Sequence, residues 1–295
     1  MKSPYNKIVV YDLETGGLYS KYNAITEIAM VAIDLETLEI VDELDFRIFP
    51  ELDLREREID PIKEAKILFK NLGEKDSDTN IKTLKFKGQS ITPKSIDPLV
   101  DAVGEFLVMV EKAYPDGIIS YAQYLQLLET DFKDIAEVYF DHVYNPQALE
   151  VTKITKKMIV DEGVMPDEAF KRIDKFISDH THGNKKPILA GHNIKKFDND
   201  FLTKLYNKNK GNLEQVMCPT QMIDTLEWAR LRWFELPNYQ LGTCANAVDI
   251  TLTGAHRALA DTIVNAKFLI KLLKGLRGEG SQESKYVRRK FEYNF

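Results

Sequence analysis

Two periodicities divide the apolar positions of this chain. Ile8-Val9-Val10 is a continuous apolar run closed by Tyr11-Asp12, and A-I-T-E-I-A-M-V-A-I-D at 24–34 and E-L-D-F-R-I-F at 43–49 follow it. These read as three successive strands, the last two joined across L-E-T-L-E as in a hairpin. P-I-L-A-G-H-N at 187–193 reads as a further buried strand. The helical period takes over at about 198–209, 221–233 and 258–275, the last ending before Gly278 and Gly280. Strands and helices mixed in this way predict an α/β protein, a mixed β-sheet flanked by helices.

The segment 51–145 interrupts that pattern. It opens on the charged run R-E-R-E, passes through the polar stretch G-E-K-D-S-D-T-N, which reads as a mobile loop, and then turns helical. D-P-L-V-D-A-V-G-E-F-L-V-M-V places Leu99, Val103, Phe106 and Val110 on one stripe, and a second helix is expected through L-L-E-T-D-F-K-D-I-A-E-V-Y-F. The expected organisation is a core of 1–50 and 146–277, an inserted, largely helical subdomain at 51–145 and a charged C-terminal tail at 278–295. The position of the insertion suits a lid over a substrate groove or an oligomer contact.

Composition narrows the class. At 295 residues the chain can bury a large core, and 44% hydrophobic with 29% charged residues is ordinary for a soluble globular protein. No apolar stretch approaches the roughly 20 residues needed to span a bilayer, and the N-terminus has no signal-peptide pattern. Two cysteines, Cys218 and Cys244, argue against a disulfide scaffold and for a reducing compartment, so a cytoplasmic protein without a membrane partner is expected. Neither cysteine has the C-x-x-C spacing of a zinc site. The net charge of −6 opposes a broad nucleic-acid-binding face. A small basic patch would suffice for a few terminal nucleotides. The candidates are Lys195, Lys196, Arg257 and the tail residues Lys285, Arg288, Arg289 and Lys290.

The candidate chemistry is carried by acids. Asp12 and Glu14 close the first strand, and residues two apart on a strand project from the same face. Paired carboxylates at a strand end, joined by further aspartates, suit hard divalent cations such as Mg²⁺ or Mn²⁺. Two such cations can clamp the attacking and leaving oxygens of a phosphodiester, which points to a nuclease. Asp198 shares a helical face with Phe201, Leu202 and Leu205, whereas Asp200 is displaced from it by about 200° and faces solvent. Asp261 likewise leads the stripe Val264, Phe268, Leu272. An acid on an apolar stripe is costly unless paired or coordinated, and metal ligation removes that cost. His256 cannot share the Asp261 face and belongs on the loop or first turn before it. Its ordinary pKa of about 6.5 suits a general base for a water near neutrality. His142, His180, His182 and His192 show no paired metal spacing.

Three strings, Y-D-L-E-T-G-G-L at 11–18, G-H-N-I-K-K-F-D-N-D-F-L at 191–202 and H-R-A-L-A-D at 256–261, resemble in order the three motifs of the DEDDh-type (DnaQ-like) 3′–5′ exonucleases of the ribonuclease-H-like superfold. A-L-E-V-T-K-I-T at 148–155 and I-D-T-L-E-W-A-R at 223–230 are similar to the family's intervening segments, and the likeness covers roughly 1–50 and 146–275. The resemblance implies a ribonuclease-H-like fold and a two-metal 3′–5′ exonuclease. Asp12, Glu14, Asp198 and Asp261 would hold the cations, with His256 as the base. It further implies substrate contacts from Thr15, Gly16, Gly17, Leu18, His192, Asn193, Lys196 and Arg257. Leu18 would either wedge against terminal bases or serve as an ordinary core leucine. Gly16 departs from the second Thr of the family's E-T-T-G-L. Motif two carries one residue more between Asn193 and Phe197 than proofreading subunits show, similar to exonuclease I-type enzymes. I-S-Y-A-Q-Y-L-Q-L-L-E-T-D-F echoes motif two and makes Asp131 a rival of Asp198, though it lacks the H-N and F-D pairs.

The expected activity is removal of nucleoside monophosphates from the 3′ end of single-stranded DNA. RNA trimming, proofreading beside a polymerase partner, and a non-catalytic binding module are the alternatives, with a homo-oligomer also open. No residue pattern reports on the 2′-hydroxyl that separates RNA from DNA.

Overall fold

A computed structural model of the chain describes residues 6–55, 60–218, 221–252 and 257–279. The N-terminal third holds β1 (Lys7–Thr15), β2 (Ile25–Asp34), β3 (Ile40–Arg47), β4 (Glu51–Asp53), α1 (Pro61–Leu72), β5 (Glu74–Lys75), β6 (Lys82–Phe86) and β7 (Gln89–Ile91). Then come α2 (Asp97–Ala113), β8 (Ile118–Ser120), α3 (Tyr121–Leu127), α4 (Lys133–Val143), α5 (Pro146–Thr152) and α6 (Lys156–Asp161). The remainder carries α7 (Pro166–Asp179), β9 (Ile188–Gly191), α8 (Asp198–Lys208), α9 (Leu213–Val216), β10 (Met222–Asp224), α10 (Thr225–Arg232), α11 (Leu241–Asn246) and α12 (Ala258–Leu276).

The chain divides into two compact units. Met1–Glu14, Glu27–Ile48 and Val164–Phe295 form the first, and Thr15–Thr26 with Phe49–Gly163 form the second. The main sheet runs β10-β9-β1-β2-β3, with β9 parallel to both β1 and β10, and β2 antiparallel to β3. It is the mixed α/β sheet that the periodicities require. β1 and β2 are buried almost end to end, which is why they read as continuous apolar runs and not as an alternation. Ile8, Val10, Val31, Ile33, Ile188 and Ala190 meet Ala266 and Leu269 of α12 in one core cluster. Phe268 and Leu272, one helical face along, pack with Trp233 and Cys244 in a second cluster.

The second unit has its own core, in which α1, α2 and α4 bury Leu68, Leu99, Val103, Phe106 and Tyr139. It differs from the expected insertion at both boundaries. The loop 15–26 belongs to it, and it continues to Gly163, taking in α5 and α6. It is also not helical alone, because β4 pairs with β8 and β5-β6-β7 form a small antiparallel sheet. The polar stretch G-E-K-D-S-D-T-N carries β5 and the turn after it, held by Asp76, whose carboxylate accepts the amides of Asp78 and Thr79 at 3.0 and 2.8 Å. The second expected helix breaks into α3 and α4 around Thr130. Among the described residues, no helix is long and apolar enough to cross a membrane.

Candidate active site

β1 ends on the site. Strand alternation sends Asp12 and Glu14 to one face, and the first turn of α12 brings Asp261 to meet them. One carboxylate oxygen from each lies within 4.8 Å of the other two. Asp198, at the start of α8, is 3% exposed, and its Oδ1 accepts the amide of Leu13, between the two β1 acids, at 3.1 Å. The fourth carboxylate is therefore anchored on the β1 backbone beside the group of three.

Such crowding has an electrostatic cost. Burial, then the neighbouring charges of Asp198, Glu14 and Asp261, hold the Asp12 carboxyl well above the usual range. Burial and the charges of Asp261, Glu27 and Asp198 push Glu14 up to about 8, opposed in part by Arg257. Burial raises Asp198 to about 7 in spite of the stabilising Leu13 amide. Carboxylates so placed cannot all be ionised together without a counter-charge. An all-oxygen donor set on a strand end and a helix first turn, short of positive charge, fits a hard divalent cation.

Motif two is held by Gly191 and Asp224, neither of which had an expected role, and by the backbone of Asn193. Gly191 ends β9 where a Cβ would lie 2.0 Å from Ile194 Cγ2 and 2.8 Å from the Tyr11 carbonyl, so only glycine fits. Asn193 then adopts φ 68°, a left-handed conformation that asparagine tolerates better than most residues. Asp224, 3% exposed at the end of β10, accepts the amides of Asn193 at 2.9 Å and Lys195 at 3.3 Å. It also caps α10 through the Leu226 amide at 3.0 Å. The signal was present in I-D-T at 223–225, an acid before a helix, but 221–233 read as unbroken helix. Met222–Asp224 is instead a strand.

Several expected substrate contacts are engaged elsewhere. His192 donates from Nε2 to the Tyr239 carbonyl at 2.8 Å, which leaves Nδ1 as an acceptor facing the Thr225 hydroxyl at 3.0 Å. Burial lowers its pKa, which favours the neutral ring that these two partners hold inside the first unit. Arg257 forks onto Glu27. Lys195 pairs with Glu227 at 2.6 Å, while Lys196 is exposed.

Thr15, Gly16, Gly17 and Leu18 belong to the second unit. Gly16 donates to the Ala24 carbonyl and accepts the Asn145 amide, both at 2.8 Å. A Cβ there would sit 2.2 Å from the Val143 carbonyl, which accounts for glycine where the resembled family often has threonine. Leu18 is 75% exposed, so it is not a core leucine. Asp131 is exposed and stands in the turn between α3 and α4, not at a strand end. His256 and the basic tail residues Lys285, Arg288, Arg289 and Lys290 lie outside the described residues.

Residues 128–269 match the exonuclease family model RNase_T, a span that includes Asp198, His256 and Asp261 but not β1. DNA polymerase III PolC-type of Bacillus cereus is 36% identical over 132 residues, 45% of this chain and 8% of that protein. The 3′–5′ exonuclease DinG of Staphylococcus aureus is 30% identical over 155 residues, 48% of this chain and 16% of that one. This chain thus spans a small part of these relatives' length. Among solved structures, E. coli Exonuclease I in complex with a dT13 oligonucleotide superposes with a TM-score of 0.53 at 13% identity, over 93% of this chain and 43% of that one. An Exonuclease I from Methylocaldum szegediense gives 0.51 at 14% identity, over 92% and 43%. At these identities the likeness is one of fold.

Proposed function

We propose that this chain carries the core of a DEDDh-type 3′–5′ exonuclease of the ribonuclease-H-like superfold and removes nucleoside monophosphates from the 3′ end of single-stranded DNA. The exonuclease family match, the PolC-type relatives and the Exonuclease I likeness support this reading. The observation that carries the reading is the convergence of Asp12, Glu14 and Asp261 within 4.8 Å, with Asp198 fixed beside them on the Leu13 amide. Those four carboxylates would hold divalent cations, Mg²⁺ or Mn²⁺ by their oxygen donor set. When bound, such cations neutralise charge developing on the attacking and leaving oxygens. His256 takes a proton from the attacking water, the water oxygen bonds to phosphorus, and the bond from phosphorus to the 3′ oxygen of the penultimate nucleotide breaks, that oxygen taking up a proton from solvent. The products are a 5′-monophosphate and a strand shorter by one nucleotide with a new 3′-hydroxyl. Lys196 and the loop of Thr15, Gly16, Gly17 and Leu18 are proposed to contact the terminal nucleotides. Cys218 and Cys244, both buried cysteines, fit a cytoplasmic location.

The test is incubation with end-labelled single-stranded DNA, duplex DNA and RNA in Mg²⁺, Mn²⁺ or EDTA. Stepwise shortening of single-stranded DNA from the 3′ end, lost in EDTA, is expected. Intact DNA in every metal condition would refute the reading. The likeness to PolC-type polymerases favours a second reading, proofreading, which predicts preferential attack on mispaired 3′ ends of duplex DNA.

A further inference from the structure

Glu27 lies on β2 with 2% of its surface exposed, in a unit already crowded with carboxylates. Its charge adds to the load on both Asp12 and Glu14. A buried acid in that position is destabilising unless it is fully paired. Glu27 is. Oε1 accepts Arg257 Nη2 at 3.0 Å and pairs with Arg47 Nη2 at 3.2 Å. Oε2 accepts Arg257 Nε at 3.3 Å and the backbone N–H of Ala258 at 3.1 Å.

The last contact shows what the arrangement does. α12 starts at Ala258, and its N-cap residue Arg257 offers no side-chain hydrogen bond to the first turn. A carboxylate from β2 therefore serves as the cap, where negative charge also complements the helix dipole. Asp261 sits in that same turn, its amide bonded to the Arg257 carbonyl at 3.1 Å. Any rotation or fraying of the turn would move the Asp261 carboxylate away from Asp12 and Glu14.

We infer that Glu27, with Arg47 and Arg257, is a positioning clamp that fixes the first turn of α12 and thereby sets the place of Asp261 among the metal-holding acids. Arg257 belongs to this clamp and not to the substrate-binding surface. Its planar fork matches both oxygens of Glu27, a geometry that lysine cannot reproduce.

The experiment compares the full chain with Glu27→Gln, Arg257→Gln, Arg257→Lys and the double variant Glu27→Gln/Arg257→Gln. Each is titrated calorimetrically with Mn²⁺ alone and assayed on a single-stranded oligodeoxynucleotide at several salt concentrations. The clamp predicts Mn²⁺ binding weakened about tenfold in each single variant, the usual scale for losing an orienting partner of a metal ligand. It also predicts a matching fall in kcat, with KM and its salt dependence within about twofold of wild type. The double variant should be no worse than either single, because both remove one unit. Arg257→Lys should stay impaired. Unchanged Mn²⁺ binding with a raised KM, a shallower salt dependence and recovery in Arg257→Lys would overturn the clamp and make Arg257 a phosphate contact. Arg257 is 45% exposed, so Arg257→Gln reports even if the buried Glu27→Gln fails to fold. The turnover arm rests on the exonuclease reading and the Mn²⁺ arm does not. No hydrolysis by any of the proteins, with Mn²⁺ affinity still lost in the variants, would remove that reading and support the clamp.

Discussion

Asp198 is 3% exposed and accepts the Leu13 amide, while Asp200, two residues along α8, faces solvent. The two acids should therefore fail differently. Asp198→Ala abolishes hydrolysis, and Asp200→Ala leaves turnover within about twofold and stability within about 0.5 kcal/mol of wild type, as for an ordinary surface change. The reverse pattern in a turnover assay would discard the helical-face assignment. Leu18 offers a second contrast at this scale. Because it is 75% exposed, Leu18→Ala should leave the melting temperature nearly unchanged while weakening binding of short oligonucleotides, read by fluorescence anisotropy. A large drop in melting temperature with intact binding would return it to a structural role.

At the scale of elements, the turn between β9 and α8 carries the most constraint. Gly191, the left-handed Asn193 and a single 3₁₀ turn at Ile194–Lys196 re-aim the chain so that α8 begins at Asp198. Asp224 holds this turn by accepting the Asn193 and Lys195 amides and caps α10 through a third. Asp224→Ala removes all three bonds at once. It should cost at least about 2 kcal/mol in urea unfolding, more than a simple cap, and should lower turnover because Asp198 loses its fixed start. Asp224→Asn, which keeps one acceptor oxygen, should recover part of both. Equal stability of Asp224→Ala and wild type would show that the turn does not depend on this residue.

For the molecule as a whole, net charge of −6 matters less than where the acids are concentrated. Without a cation, Glu14 titrates at about 8 and Asp198 at about 7, both above their ordinary values near 4.5 and 3.8. An acid whose pKa is raised by folding binds more protons folded than unfolded, so its folded-state contribution is largest at low pH. The metal-free protein should lose stability as pH rises from about 4.5 through about 8, the opposite of a salt-bridged carboxylate. A bound divalent cation favours the ionised acids, so its stabilising effect should grow across the same window. Thermal melts in EDTA and in Mn²⁺ at pH 6 and pH 8 test this. The melting temperature should fall with pH in EDTA, and Mn²⁺ should raise it more at pH 8 than at pH 6. A Mn²⁺ effect equal at both pH values would mean that these acids do not hold the cation.

The α/β class, the first three strands, α8, α12 and the acids worth suspecting were legible in the chain's pattern, because strand and helix periods are local and put Asp12 with Glu14 and Asp198 with Phe201 without reference to the rest of the fold. What each neighbour of those acids is engaged with depends on contacts made across the fold. Arg257 and His192 read as substrate contacts because the resemblance places them next to the motif residues, and Arg257 is also basic. Their actual partners, Glu27 and Tyr239, lie 230 and 47 residues away. Met222–Asp224 read as helix because three residues hold too little periodicity to betray a strand, and it is pairing with β9 that makes them one. The loop 15–26 read as part of the core because it follows β1 without a break, yet its hydrogen bonds run to Val143 and Asn145 of the second unit. Local pattern fixes what a segment can become. Partners distant in sequence decide which of its polar groups remain available for chemistry.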